Sequence, residues 1–206
     1  MLDSDYISML VCAPVIFDSI DYNLAAGEMN PEIFSRYVDM AKIASANPVI
    51  WEPFAGTSCQ GSNPRGVIQD IAERKGVRLI SYGLAPKDSR ITHADSVRIG
   101  PKATLDGALF HPPYFGSGLM SDDDSDLSRI RSFSEYQSAI GVVVWRIAEA
   151  MSKGGSVCAV GRDYRVYGER IRLDLTYLDI FGRAGFELNE VWRSLPDIVL
   201  IFGRKI

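Results

Sequence analysis

Two short stretches of this chain hold residue types from which a binding and reacting centre can be built. The first is Val49-Ile50-Trp51-Glu52-Pro53-Phe54-Ala55-Gly56-Thr57-Ser58. It runs from an apolar, β-branched segment into one acid, a proline and a turn of small residues. A glycine in such a turn lets main chain approach a ligand where a Cβ would not fit. The second is Ala108-Leu109-Phe110-His111-Pro112-Pro113-Tyr114-Phe115, an apolar run entering a rigid Pro-Pro corner. A neutral His111 offers one ring-nitrogen lone pair to an N–H group. Tyr114 offers a flat aromatic face to a planar ring. In an open α/β sheet, ligands sit beyond the carboxyl ends of the strands. Both stretches must therefore leave strands of one sheet if they are to act on one ligand.

Together, Glu52-Pro53-Phe54-Ala55-Gly56-Thr57-Ser58 and His111-Pro112-Pro113-Tyr114-Phe115 resemble the two signature motifs of the S-adenosylmethionine-dependent amino-methyltransferases of nucleic acids, the adenine-N6 and cytosine-N4 class. That family carries an acidic-Pro-Phe-x-Gly-x-Gly turn at the cofactor and an (Asp/Asn/Ser)-Pro-Pro-(Tyr/Phe) corner at the target amine. The resemblance implies S-adenosylmethionine as cofactor, with Glu52, Pro53, Phe54, Ala55, Gly56 and Thr57 at its site. Asn30-Pro31-Glu32-Ile33-Phe34 looks like the family segment that packs on the methionine portion, which adds Phe34. His93-Ala94-Asp95-Ser96 is similar to the third-strand exit whose acid accepts from the adenine amino group, which adds Asp95 and Ser96. The sequence departs from the pattern at three positions. Ser58 stands where the last glycine is usual, and His111 where Asp, Asn or Ser is usual. Gly83 stands where an acid usually holds the ribose, leaving Asp88 or the Ser81 hydroxyl as substitutes.

Carried onto these residues, the family's reaction places His111, Pro112, Pro113 and Tyr114 at the catalytic corner. The lone pair of an exocyclic amine is delocalised into its ring, and acceptors that bond its N–H groups localise it again. Tyr114 and Phe115 would hold a base of DNA or another nucleic acid, flipped from its stack to reach the cofactor. Two readings of the variant corner stand side by side: an active enzyme using a neutral histidine, or a silent relative serving as a binding or partner subunit. A small-molecule or protein methyltransferase would share the sheet and the glycine turn, with less reason to carry Pro-Pro-Tyr.

The chain has 206 residues, 47% hydrophobic and 23% charged, with net charge −4. One domain over 1–206 is expected, with an irregular segment over 1–30 and no block large enough for a separate target-recognition domain. Specificity would then be minimal or come from a partner subunit or a homodimer. The acidic balance argues against a general nucleic-acid coat protein. A local basic lip remains open in Arg162, Arg165, Arg170 and Arg172, with ordinary mixed-charge surface as the alternative. Three scattered cysteines and two histidines give no metal-ligand spacing, so no metal is expected. No apolar run is long enough for a membrane span, and the acidic start lacks a signal peptide, so a cytoplasmic protein is expected.

The elements that must position these residues alternate between strand and helix, which predicts a Rossmann-like α/β domain with a mostly parallel sheet and an antiparallel C-terminal edge; the resemblance implies that this is the methyltransferase sheet. Asn30-Pro31-Glu32 opens a helix. Further helices are expected from Pro64 to Lys75, from the Ser134-x-x-Gln137 box to about Met151, and from Arg170 to Ala184. Strands are expected at Val49–Trp51, Val77–Tyr82, Ile91–Ser96, Asp106–Phe110, Ser156–Val160, Phe186–Trp192 and Ile198–Phe202. The acidic stretch 116–134 reads as a solvated loop.

Overall fold

The computed structural model describes residues 30–55, 66–116, 123–194 and 197–204. Nine strands occur in it: β1 (Val49–Glu52), β2 (Arg78–Gly83), β3 (Thr92–His93), β4 (Leu105–Phe110), β5 (Met151–Gly161), β6 (Tyr164–Val166), β7 (Glu169–Ile171), β8 (Phe186–Ser194) and β9 (Asp197–Arg204). Seven of them form one sheet in the order β3-β2-β1-β4-β5-β9-β8. The first five run parallel, and β9 runs antiparallel to both β5 and β8. Only residues 195 and 196 separate β8 from β9, too few for a parallel crossover. The reversal at the C-terminal end follows.

Among the described residues, four α-helices cover the sheet: α1 (Pro31–Ala44), α2 (Val67–Lys75), α3 (Phe133–Ala150) and α4 (Leu173–Arg183). Alternate residues of the central strands face opposite layers, as the strand period of two requires. Ile50, Leu109, Cys158 and Val160 pack with α1 and α2. Trp51, Ala108, Phe110, Val157 and Ala159 pack with α3 and α4. Because both faces are buried, β1, the end of β4 and the second half of β5 are near-continuous apolar runs rather than alternating ones.

One buried side chain fixes how β4 sits against β5. The Tyr37 hydroxyl on α1 donates to the Ser156 carbonyl at 2.6 Å and accepts from the Ala108 amide at 3.1 Å. It bridges the strands where their register shifts between Leu105 and Gly107. Gly107 makes room, because a Cβ there would meet the Tyr37 hydroxyl.

Three expectations are corrected. Arg170 and Ile171 are strand, not helix: β6 and β7 make a hairpin turning at Tyr167-Gly168, both with positive φ (50° and 82°). That turn suits the twist of a two-residue hairpin, and α4 starts only at Leu173. The cap of α3 is Ser132, and Ser134 lies inside its first turn, 2.9 Å from the Ser132 hydroxyl. The strand after α3 starts at Met151 and passes through Lys153-Gly154-Gly155, which the sequence placed before it.

Candidate active site

Strand β1 pairs with β4 in parallel, Trp51 opposite Ala108, so Glu52 and His111 leave the sheet at the same edge. Glu52 is buried, and its carboxylate accepts from the Ser81 hydroxyl at 2.7 Å. Ser81 in turn accepts from Gln69 Nε2 at 2.8 Å. This relay ties β1, β2 and α2 together and commits the Ser81 hydroxyl to Glu52. The turn beyond is pinned twice: Ala55 N donates to the Tyr82 carbonyl at 2.9 Å, and the Ser96 hydroxyl donates to the Pro53 carbonyl at 2.6 Å. Phe54 packs edge-on against Phe110 at 5.5 Å.

Glu52, Pro53, Phe54, Ala55 and Ser96 are thus brought together beside the end of β2. Asp95 is next to them, its carboxylate accepting from Val97 N at 2.9 Å and pairing with Arg98 at 3.2 Å. Asp88 is held by Arg90 at 2.6 Å, which keeps its carboxyl below the usual range. The same arginine reaches Asp70 and Glu73 on α2. Phe34 is fully buried between α1, α2 and the sheet. Gly56, Thr57 and Ser58 lie outside the described residues, as does the segment 1–29.

At the corner, His111 is only 4% exposed. Its Nε2 lies 3.3 Å from the Tyr114 hydroxyl, and its Nδ1 finds no hydrogen-bond partner among the described residues. Burial, with the Arg162 charge nearby, pushes the imidazole pKa down from 6.5 to about 3. The ring is therefore neutral near pH 7. Pro112 is buried, and the Pro113 carbonyl accepts from the Tyr136 hydroxyl at 2.9 Å. Phe115 turns into the core, against Phe133 at 5.4 Å and Tyr136 at 5.8 Å, so the structure does not bring its ring to the site.

Tyr114 is buried as well, and its ring stacks on Tyr164 of β6 with centroids 5.2 Å apart and planes at 20°. Tyr164 is anchored by its hydroxyl, which donates to the Phe115 carbonyl at 3.0 Å. Sequence reasoning missed Tyr164. The signal was present in Tyr164-x-Val166 and x-Gly168-x-x-Ile171, alternation around a two-residue turn.

The four arginines do lie beyond β5, beside the corner, but most are engaged. Arg162 pairs with buried Asp197 at 2.9 Å. Arg170 and Arg172 share Asp163 at 2.8 and 2.9 Å, and Arg172 also holds Asp174 at 2.7 Å. Arg165 and Arg170 face each other across the hairpin and are both exposed. Phosphate contact by Arg162, Arg170 or Arg172 would compete with these pairs, and Arg165 donates to the Gly168 carbonyl at 3.2 Å; Arg165 and Arg170 are the exposed members of the four.

The fold is shared with solved structures. The fold is that of the class I S-adenosylmethionine-dependent methyltransferases. A 1,6-didemethyltoxoflavin-N1-methyltransferase of Burkholderia thailandensis, solved with that compound and S-adenosylhomocysteine, matches with TM-score 0.56 and 15% identity, covering 86% of this chain and 80% of its own. The N-methyltransferase NodS of Bradyrhizobium japonicum matches with TM-score 0.53 and 11% identity over 84% and 94%. The sugar N-methyltransferase KedS8 of Streptoalloteichus matches with TM-score 0.56 and 9% identity over 86% and 89%. No protein-family profile and no curated protein matches the sequence. Among the described residues, no helix is long and apolar enough to cross a membrane, and no cluster of three or more His, Cys, Asp or Glu could hold a metal ion.

Proposed function

We propose that this protein transfers a methyl group from S-adenosylmethionine to the exocyclic amine of a nucleic-acid base, adenine N6 or cytosine N4, with DNA as the first candidate. One observation carries the reading: His111, at the carboxyl end of β4, is buried and neutral and leaves Nδ1 without a partner among the described residues. A buried polar atom left unbonded in the protein itself is uncommon and calls for an explanation. An amine N–H supplies one. The Pro-Pro-Tyr corner and the nitrogen acceptors named for the three structural relatives support the same chemistry.

The turn fits the cofactor: buried Glu52 and the Ser96-to-Pro53 bond hold Pro53–Ala55 rigidly at the ends of β1 and β2. S-adenosylmethionine, when bound, supplies the methyl group from its sulfonium. The protein's part is positioning. For Nδ1 to accept from the amine, the imidazole proton sits on Nε2 and is donated to the Tyr114 hydroxyl at 3.3 Å. The accepted N–H bond draws the nitrogen lone pair out of ring conjugation. Tyr114 stacks on the acceptor ring once Tyr164 gives way. That occupied face favours a second reading, a partner subunit that keeps the fold without turnover.

The experiment is transfer of labelled methyl from S-adenosylmethionine to single- and double-stranded oligonucleotides, with the modified base identified after digestion. Label on N6 of adenine or N4 of cytosine, lost in His111→Leu, is the expected result. Wild type inert on every oligonucleotide would replace this reading with the partner-subunit one.

A further inference from the structure

The hairpin of β6 and β7 carries a residue that the fold does not need. Tyr167 has φ 50° and is 87% exposed. It is the one non-glycine residue with positive φ among the described residues. Left-handed backbone strains a bulky side chain, and only Gly, Asn and Asp occupy it readily. Its ring meets no aromatic ring or cation among the described residues, and Asn-Gly is the favoured pair for a turn of this kind. Strain retained at an exposed position points outward, to something that binds there.

The hairpin's placement says what that is. Its inner face is anchored at the corner: Tyr164 stacks on Tyr114, and Val166 packs so closely on Gly116 that a Cβ there would collide with it. Its outer face presents Arg165 opposite Arg170. Tyr167 lies three positions along from Tyr164, about 10 Å at strand spacing. At about 3.4 Å per nucleotide along a strand, that reaches bases within about three positions of one lying on Tyr114.

We propose that Tyr167 stacks on a base flanking the target, with Arg165 and Arg170 beside the strand's phosphates. The inference rests on the nucleic-acid reading above and adds to it a second, exposed contact outside the acceptor pocket. Base-on-aromatic stacking tolerates any sequence.

The test uses fluorescein-labelled single-stranded DNA and RNA dodecamers in anisotropy titrations, with thermal melting of the same proteins. Tyr167→Asn should melt higher than wild type, because asparagine accepts the left-handed turn, yet bind the oligonucleotide about fivefold to a hundredfold more weakly. Tyr167→Phe should bind within about twofold of wild type. An Asn variant that binds as tightly as wild type overturns this inference and leaves the amine chemistry standing. Wild type binding neither oligonucleotide overturns both.

Discussion

The depressed pKa of His111 makes folding stability depend on pH in a direction that can be worked out beforehand. In the unfolded chain this imidazole takes up a proton near pH 6.5, whereas in the fold it waits until about pH 3, chiefly because it is buried. Above pH 6.5 both states are neutral at this residue and its linkage costs nothing. Below pH 6.5 the unfolded state binds a proton that the native state refuses, so stability falls by up to about 1.4 kcal/mol per pH unit. Integrated from about pH 8 to about pH 5, the loss is about 2 kcal/mol. Asp163 and Asp197, whose carboxyls are raised by burial, shift stability the other way as pH falls, and they are common to wild type and variant. Urea denaturation of wild type and His111→Gln at both pH values isolates the histidine. Wild type should lose about 2 kcal/mol more than the variant over that interval. Equal losses would refute the claim that His111 is buried and neutral. By the same reasoning, transfer should show no inflection near pH 6.5, since the ring stays neutral well below it.

Tyr164→Ala should lower stability by about 2 kcal/mol through the lost stack and hydroxyl bond, while lowering the acceptor KM by freeing the face of Tyr114. A raised KM would mean that Tyr164 itself holds the acceptor. Arg162→Met leaves Asp197, 3% exposed, with an uncompensated charge and should cost about 3–5 kcal/mol in urea unfolding. Adding Asp197→Asn should recover more than half of that loss. Gly107→Ala should cost about 1–3 kcal/mol, because the added methyl must push Tyr37 from its bridge between Ala108 and Ser156.

Much of the sheet was legible because β1, the end of β4 and the second half of β5 are short apolar runs with Gly or Pro close behind. Val49–Glu52 and Leu105–Phe110 fall within a residue of where their apolar runs place them. The helix–strand alternation then fixes the topology with few alternatives. The site was legible as two strand ends, and less so as an environment. That Ser81 is spent on Glu52, and that Phe115 turns into the core, depends on neighbours far away in sequence. The arginine run looked like a basic lip because sequence does not show Asp174 and Asp197 folding back on it. The hairpin was missed for a different reason. Arg170-Ile171-Arg172 is compatible with a helical start, and the Tyr167-Gly168 turn that excludes it uses a tyrosine where asparagine is the usual sign.

The account rests on the turn between β1 and α2 being a cofactor site, and calorimetric titration of the purified protein with S-adenosylmethionine tests that most directly. One equivalent should bind, with a matching rise in melting temperature and competition by S-adenosylhomocysteine. A folded protein giving neither heat nor a melting shift at millimolar S-adenosylmethionine would contradict it.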